Sequence, residues 1–257
     1  MSLNNNVCVL LSTMDNKLPL FFKKNNGNTV VINQTKDLDF TDPSNITFYN
    51  FNEKGLSKSR NRAISLANDK YCCIADNDIY YVTDYKEKIL NFFNTIPDAD
   101  ILVFQIYTPE GYPYKTYKDY IYKMNKFSIM KVSSVEIVFN KESILSKNIG
   151  FDERFGLGSF FKSGEENIFL SDCLKSGLNI YAVNQKLVFH PFESSGKIIN
   201  DNFFYDRGAV FFRIYGFLMA NLLYIYFSYK KSSKKRYFLS NLFLMYKGLF
   251  NYLKVKK

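Results

Sequence analysis

The run Tyr71-Cys72-Cys73-Ile74-Ala75 is apolar throughout and breaks off at Asp76-Asn77-Asp78. An apolar run of strand length, without the alternation of a half-buried strand, suits a strand covered on both faces, as in layered α/β proteins. On an extended backbone residues i and i+2 point the same way, so Asp76 and Asp78 bring two anions together. Such a pair repels unless a cation or a protonation shift relieves it. All-oxygen ligands suit Mg²⁺ or Mn²⁺, which keep positions open for water and for nucleotide phosphates. The plainer alternative is an Asp-Asn-Asp turn capping a surface loop.

Hydrophobic patterning predicts strands near 7–12, 29–33, 46–51, 71–75, 100–107 and 178–183, with helices near 57–68, 84–95 and 164–176. Strands alternating with helices imply a mixed, mostly parallel sheet flanked by helices. Ligands in such sheets bind at the carboxyl ends of strands, which gathers Ser12, Asn33, Asp76 and Asp78. Upstream of the acidic pair, Lys54-Gly-Leu-Ser-Lys-Ser-Arg-Asn-Arg62 reads as a glycine turn and a helix N-capped by Ser57, with Ala63, Ile64, Leu66 and Ala67 as its buried stripe.

Gly55, Ser57, Arg60 and Asn61, followed by Asp76-Asn77-Asp78, resemble the Gly-x-Ser-x-x-Arg-Asn helix and Asp-x-Asp motif of the GT-A glycosyltransferases, glycosyltransferase family 2 in particular. The block Phe151 to Leu170, with Gly164-Glu165-Glu166, resembles their acceptor loop and base helix. The single histidine, His190 in Val188-Phe-His-Pro191, falls where these families place a metal-ligating histidine. Taken alone, acids at a helix start or a lone histidine at a strand end are ordinary structural features. The order of the four signals over residues 7–192 carries the resemblance.

The resemblance implies a GT-A, Rossmann-like nucleotide-diphospho-sugar transferase in which Asp78, Asp76 and His190 attend a Mn²⁺ or Mg²⁺ ion. Asp78 and His190 would ligate it, and Asp76 would orient ribose or a metal-bound water. Ser12, Asn33, Arg60, Arg62, Asp76 and Asp78 would bind the nucleotide, with one of the two arginines in contact. Glu166 would be the base of an inverting reaction and Glu165 would hold the acceptor. The strand Thr29–Asn33 lacks the aspartate often found at its end, so Asn33 or Gln34 would read the base. The implied donor is a UDP-sugar, UDP-Gal, UDP-Glc or an N-acetylated relative, and the acceptor a lipid-linked oligosaccharide of capsule or O-antigen synthesis. The Tyr- and Pro-rich segment Thr108–Tyr117 offers rings that stack on sugars or simply order a loop.

Three other classes are weighed by the same residues. A nucleotidyltransferase would show a glycine-rich phosphate loop near the first strand, and Val7 to Asn16 contains no glycine. A non-catalytic sugar- or lipid-binding module needs no acidic cluster. A nucleic-acid-binding protein would account for basic, aromatic sequence, but long runs of Leu, Phe, Ile and Met suit lipid better than phosphate backbones.

Charge divides the chain at about residue 202, suggesting a catalytic domain over 1–202 and a basic, aromatic-rich helical tail over 203–257. The first part holds 23 Lys+Arg and 23 Asp+Glu, the second 11 and 1. In the tail, apolar stretches Ala209–Tyr229 and Tyr237–Tyr252 alternate with Lys230-Lys-Ser-Ser-Lys-Lys-Arg236 and Lys254-Val-Lys-Lys257. Basic amphipathic helices lie in the headgroup region of anionic bilayers, each Lys or Arg contributing about 1 kcal/mol. Arg213, Gly216 and Asn221 dilute Ala209–Tyr229 as a membrane span, and a helical pair packed on the catalytic domain or a second subunit is the competing role. Four cysteines without Cys-x-x-Cys spacing read as reduced core thiols. The start of the chain has no basic n-region, and Val7–Leu11 is too short for a signal sequence. The expected location is cytoplasmic, peripheral on the inner face of the cell membrane.

Overall fold

The computed structural model describes residues 6–14, 28–35, 45–191, 201–232 and 237–255. Their strands are β1 (Val7–Thr13), β2 (Asn28–Asn33), β3 (Ile46–Asn50), β4 (Tyr71–Ala75), β5 (Tyr80–Tyr81), β6 (Ile101–Tyr107), β7 (Tyr122–Lys123), β8 (Ile137–Asn140) and β9 (Ile180–Phe189). They form one sheet in the order β3-β2-β1-β4-β8-β6-β9-β5, with β7 on β9. β3, β2, β1 and β4 run parallel, as do β6 and β9, while β8 enters antiparallel between β4 and β6. This is the mixed, mostly parallel sheet that the patterning implies. The short strands β5, β7 and β8 escape a reading by period because two to four residues carry too little of one.

The helices are α1 (Leu56–Leu66), α2 (Tyr85–Thr95), α3 (Lys141–Ser146), α4 (Glu165–Lys175), α5 (Asp201–Lys231) and α6 (Phe238–Lys254). Every residue of β4 is buried, and alternate side chains serve opposite faces. Cys73 joins Val7, Val9, Leu11 and Ile89 in one core. Cys72 joins Cys8, Leu10, Ile64 and Phe169 in the other. All four cysteines are buried and unbridged.

α5 departs from a continuous span. At Gly216 the backbone takes φ 72° and ψ 179°, outside helical space. A straight helix would hold Phe203 and Phe227 roughly 36 Å apart, yet their rings lie at 5.7 Å. The Tyr224 hydroxyl donates to the Gly208 carbonyl at 2.6 Å. The chain therefore doubles back, and α5 is two antiparallel arms, 201–215 and 217–231. α6 closes a three-helix arrangement against both, with Gly208 and Gly248 set where an added Cβ would meet backbone of the opposite helix at 2.0 and 1.9 Å.

The first arm is packed into the α/β layers. Ala209, Val210 and Ile214 share a core with Phe155, Phe161 and Ile168. Arg213 grips Asp172 through two bonds, at 2.9 and 2.7 Å, and reaches Asp152 at 3.1 Å. Asp206 accepts from the Lys162 amide and the Ser163 hydroxyl. Of the basic cluster, residues 233–236 lie outside the described residues, as do 256 and 257.

Candidate active site

α1 begins at Leu56 with Gly55 as its N-cap. Ser57, expected as the cap, is instead fully buried, and its hydroxyl donates to the Phe155 carbonyl at 2.6 Å. The hydroxyl serves the distant loop because burial leaves it no water to bond. One turn on, the Asn61 amide clamps the backbone of Phe151, accepting from its N–H at 2.7 Å and donating to its carbonyl at 3.0 Å. Thus α1 holds residues 151–155, the start of the segment leading into α4.

Between Ser57 and Asn61, Arg60 points inward and is 2% exposed. Its Nη2 lies 3.1 Å from Asp76 Oδ1 and its Nη1 2.9 Å from Glu165 Oε1. A buried cation is tolerated only when its charge is met, and here the two terminal nitrogens of one guanidinium join the carboxyl end of β4 to the N-terminus of α4. The acidic pair is thereby brought against the Glu-Glu pair, some ninety positions further along the chain. Ser134 adds a long contact to Asp76 Oδ2 at 3.4 Å.

Asp78 stands apart from that network, more than half exposed, with Oδ2 3.5 Å from His190 Nε2. β9 delivers the histidine, and its amide bonds the Tyr107 carbonyl at the end of β6. His190 Nδ1 lies 2.6 Å from the Pro191 carbonyl. A carbonyl can only accept, so Nδ1 carries a proton, and Nε2 is the ring nitrogen that faces Asp78. A carboxylate oxygen and an imidazole nitrogen 3.5 Å apart are of the ligand types that a divalent cation takes. Among the described residues no three His, Cys, Asp or Glu side chains converge on one point. Asp76 Oδ1 is engaged by Arg60, whereas Asp78 and His190 face each other without such an ion pair to Arg60.

These groups line a cavity of about 710 Å³. Ser12, Arg60, Asp76, Asp78, Glu165, Glu166 and His190 all reach it. Burial first, then repulsion from Glu165, pushes the Glu166 carboxyl up to about 7, against the pull of Arg207. Glu165, expected to hold an acceptor, has Oε1 engaged by Arg60 at 2.9 Å.

Two expected nucleotide contacts lie elsewhere. Asn33 is fully buried, its amide donating to Thr35 and Asn50 at 2.8 and 2.9 Å, and it does not line the cavity. Gln34 does, while donating to the Gly55 carbonyl. Arg62 projects from the other side of α1, pairing with Glu53 at 2.5 Å and stacking on Phe51. Of the aromatic loop, Tyr114 enters the cavity and meets the His190 ring at 5.3 Å. Tyr117 is instead pinned to Glu136 at 2.8 Å.

The sequence reading missed the basic wall of Lys54, Lys131, Lys162 and Arg207, and Phe203 beside it. Lys54 adjoins the glycine turn and could have been found there. Arg207 could not, because it belongs to α5, read as tail; here it bonds Asn167 at 2.9 Å and flanks Glu166. A second cavity, about 530 Å³ and lined by Asp152, Arg154, Asp172 and Arg213, is occupied by ion pairs among its own walls.

The family model described as Glycosyl transferase family 2 matches residues 28–154. No curated protein matches the sequence. Among solved structures, residues 1–349 of S. aureus TarS in complex with UDP-GlcNAc are similar at TM-score 0.65 and 13% identity, over 97% of this chain and 81% of that one. The same TarS fragment without a named ligand is similar at TM-score 0.60 and 14% identity, over 95% and 81%. Its complex with UDP gives 0.59 and 14%, over 90% and 73%.

Proposed function

We propose, from the family 2 model over residues 28–154 and the GT-A-like fold, that this chain is a glycosyltransferase that moves a hexose from a UDP-sugar to a hydroxyl of a lipid-linked oligosaccharide, with inversion. Capsule or O-antigen assembly at the inner face of the cell membrane is the proposed setting. The carrying observation is the arrangement in one cavity: Glu166 on α4, its carboxyl raised to about 7, lines it together with Asp76 and Asp78, and buried Arg60 ties Asp76 to the neighbouring Glu165. UDP and UDP-GlcNAc in the TarS crystals support a uridine donor, and an N-acetylhexosamine among the candidates.

Transfer requires the acceptor oxygen to bond the anomeric carbon as the bond from that carbon to the diphosphate oxygen breaks. Glu166 takes the acceptor proton, and a carboxyl titrating near 7 does so at neutral pH. Negative charge gathers on the departing diphosphate, where Lys54, Lys131, Lys162 and Arg207 supply positive potential. Asp78 and His190 would hold a Mn²⁺ or Mg²⁺ ion, which when bound supplies Lewis-acid neutralisation of the diphosphate. Arg60 keeps Asp76 oriented toward the ribose and Glu165 clear of the acceptor path.

The test is nucleotide release by purified protein from UDP-, GDP- and dTDP-sugars, with and without Mn²⁺. Metal-dependent release of UDP alone is the expected result. Release of GDP or dTDP instead would overturn the donor, metal-independent turnover would overturn the ion, and a retained anomeric configuration in the product would overturn Glu166 as base.

A further inference from the structure

We propose that the outward faces of the second arm of α5 and of α6 form a monotopic docking surface for an anionic lipid bilayer. The inference rests on the reading above only for its purpose, delivery of the enzyme to a lipid-borne acceptor; its geometry comes from the helices alone.

Leu218, Leu222, Ile225, Tyr226 and Tyr229 are 84, 64, 51, 56 and 66% exposed. Their spacing of 4, 7, 8 and 11 residues places them on one helical stripe. On α6, Leu239, Phe243, Phe250 and Leu253 are exposed by 72, 68, 57 and 60%. The opposite faces are already filled: Ala220, Tyr224, Met245 and Leu249 are buried in the core between the helices. The stripes are therefore not the side by which these helices hold one another. Exposed apolar stripes on two packed helices mark an interaction site.

Charge decides the occupant. From residue 207 onward there is no aspartate or glutamate, and eleven lysines and arginines follow the last acid, Asp206. Lys230 and Lys231 stand exposed at the end of the α5 stripe, and Lys247 and Lys254 are exposed on α6. Apolar side chains rimmed by cations match an anionic headgroup layer over an apolar interior. The reversal at Gly216 removes α5 as a continuous span: each arm is about 15 residues, roughly 22 Å, against a hydrocarbon core of about 30 Å.

The experiment is co-sedimentation of the full chain with mixed phosphatidylcholine–phosphatidylglycerol vesicles and with pure phosphatidylcholine vesicles, without donor or acceptor. Binding to the mixed vesicles is expected, weakening with salt. Leu222→Glu/Ile225→Glu should weaken it roughly tenfold or more, as should Lys230→Glu/Lys231→Glu. Leu239→Ser/Phe243→Ser on α6 tests the second stripe independently. Far-UV circular dichroism and nucleotide release in solution report whether each variant keeps its fold. The proposal falls if mixed vesicles do not retain the protein, or if folded variants bind them as the parent does. It falls equally if light scattering shows the stripe variants dissolving a dimer without changing vesicle binding, or if RNA is retained and vesicles are not. If vesicle binding holds while no nucleotide-sugar is turned over, the catalytic reading fails and this one stands.

Discussion

Arg60 carries its charge into an interior where an isolated ion would be strongly disfavoured, and Asp76 and Glu165 are what make that tolerable. Removing the guanidinium leaves two carboxylates facing each other, one of them buried. Arg60→Ala should lower stability by about 3–5 kcal/mol, roughly 10 °C in Tm, and abolish nucleotide release. Thermal scanning beside the release assay checks both. Glu166 makes the opposite trade. Its carboxyl titrates at about 7 in the folded chain against an ordinary 4.5, so the folded state holds that proton more tightly than the unfolded one. Its stabilising contribution is complete below about 4.5 and is lost as pH rises toward 7. Glu166→Gln cannot ionise, so its Tm should exceed the parent's at pH 8 while turnover drops about 10²–10⁴-fold. In the parent, kcat/KM should rise with pH and level off near 7. A parent profile without that limb would remove Glu166 from the role of base.

Two helix contacts depend on glycine for different reasons. Gly216 occupies φ 72°, ψ 179°, a region almost confined to glycine, and the reversal of α5 follows from it. Gly216→Ala should cost about 1–3 kcal/mol. Gly208 is a matter of space: an added Cβ would sit 2.0 Å from the Met245 carbonyl oxygen, which belongs to backbone and cannot rotate away. Gly208→Ala should force α5 and α6 apart and cost about 1–3 kcal/mol. Denaturation midpoints measure both; midpoints equal to the parent's would mean that the close approach is relieved cheaply.

The first arm of α5 links the tail to the chemistry, since it covers Phe155, Phe161 and Ile168 and places Arg207 in the cavity wall. A chain ending at residue 200 should accordingly lose soluble yield and nucleotide release together, and a soluble, active truncation would show that the arm is dispensable. Local pattern was enough to reveal the apolar run of β4, the amphipathic α1 and α4 and the acids at their ends, because side-chain periodicity and cap chemistry act over a few residues. The carboxyl ends of parallel strands then brought Ser12, Asp76 and Asp78 to one edge, as β-sheet connectivity requires. Partner choice was not local. Which carboxylates Arg60 pairs with, whether Asn33 lines the cavity or bonds Asn50, and whether α5 runs straight or folds on itself depend on groups tens of positions away. Composition along the chain therefore determined a layered α/β sheet with an acidic site and a basic tail. Only tertiary packing decided which charges neutralise one another, because burial turns a nearby partner from an option into a requirement.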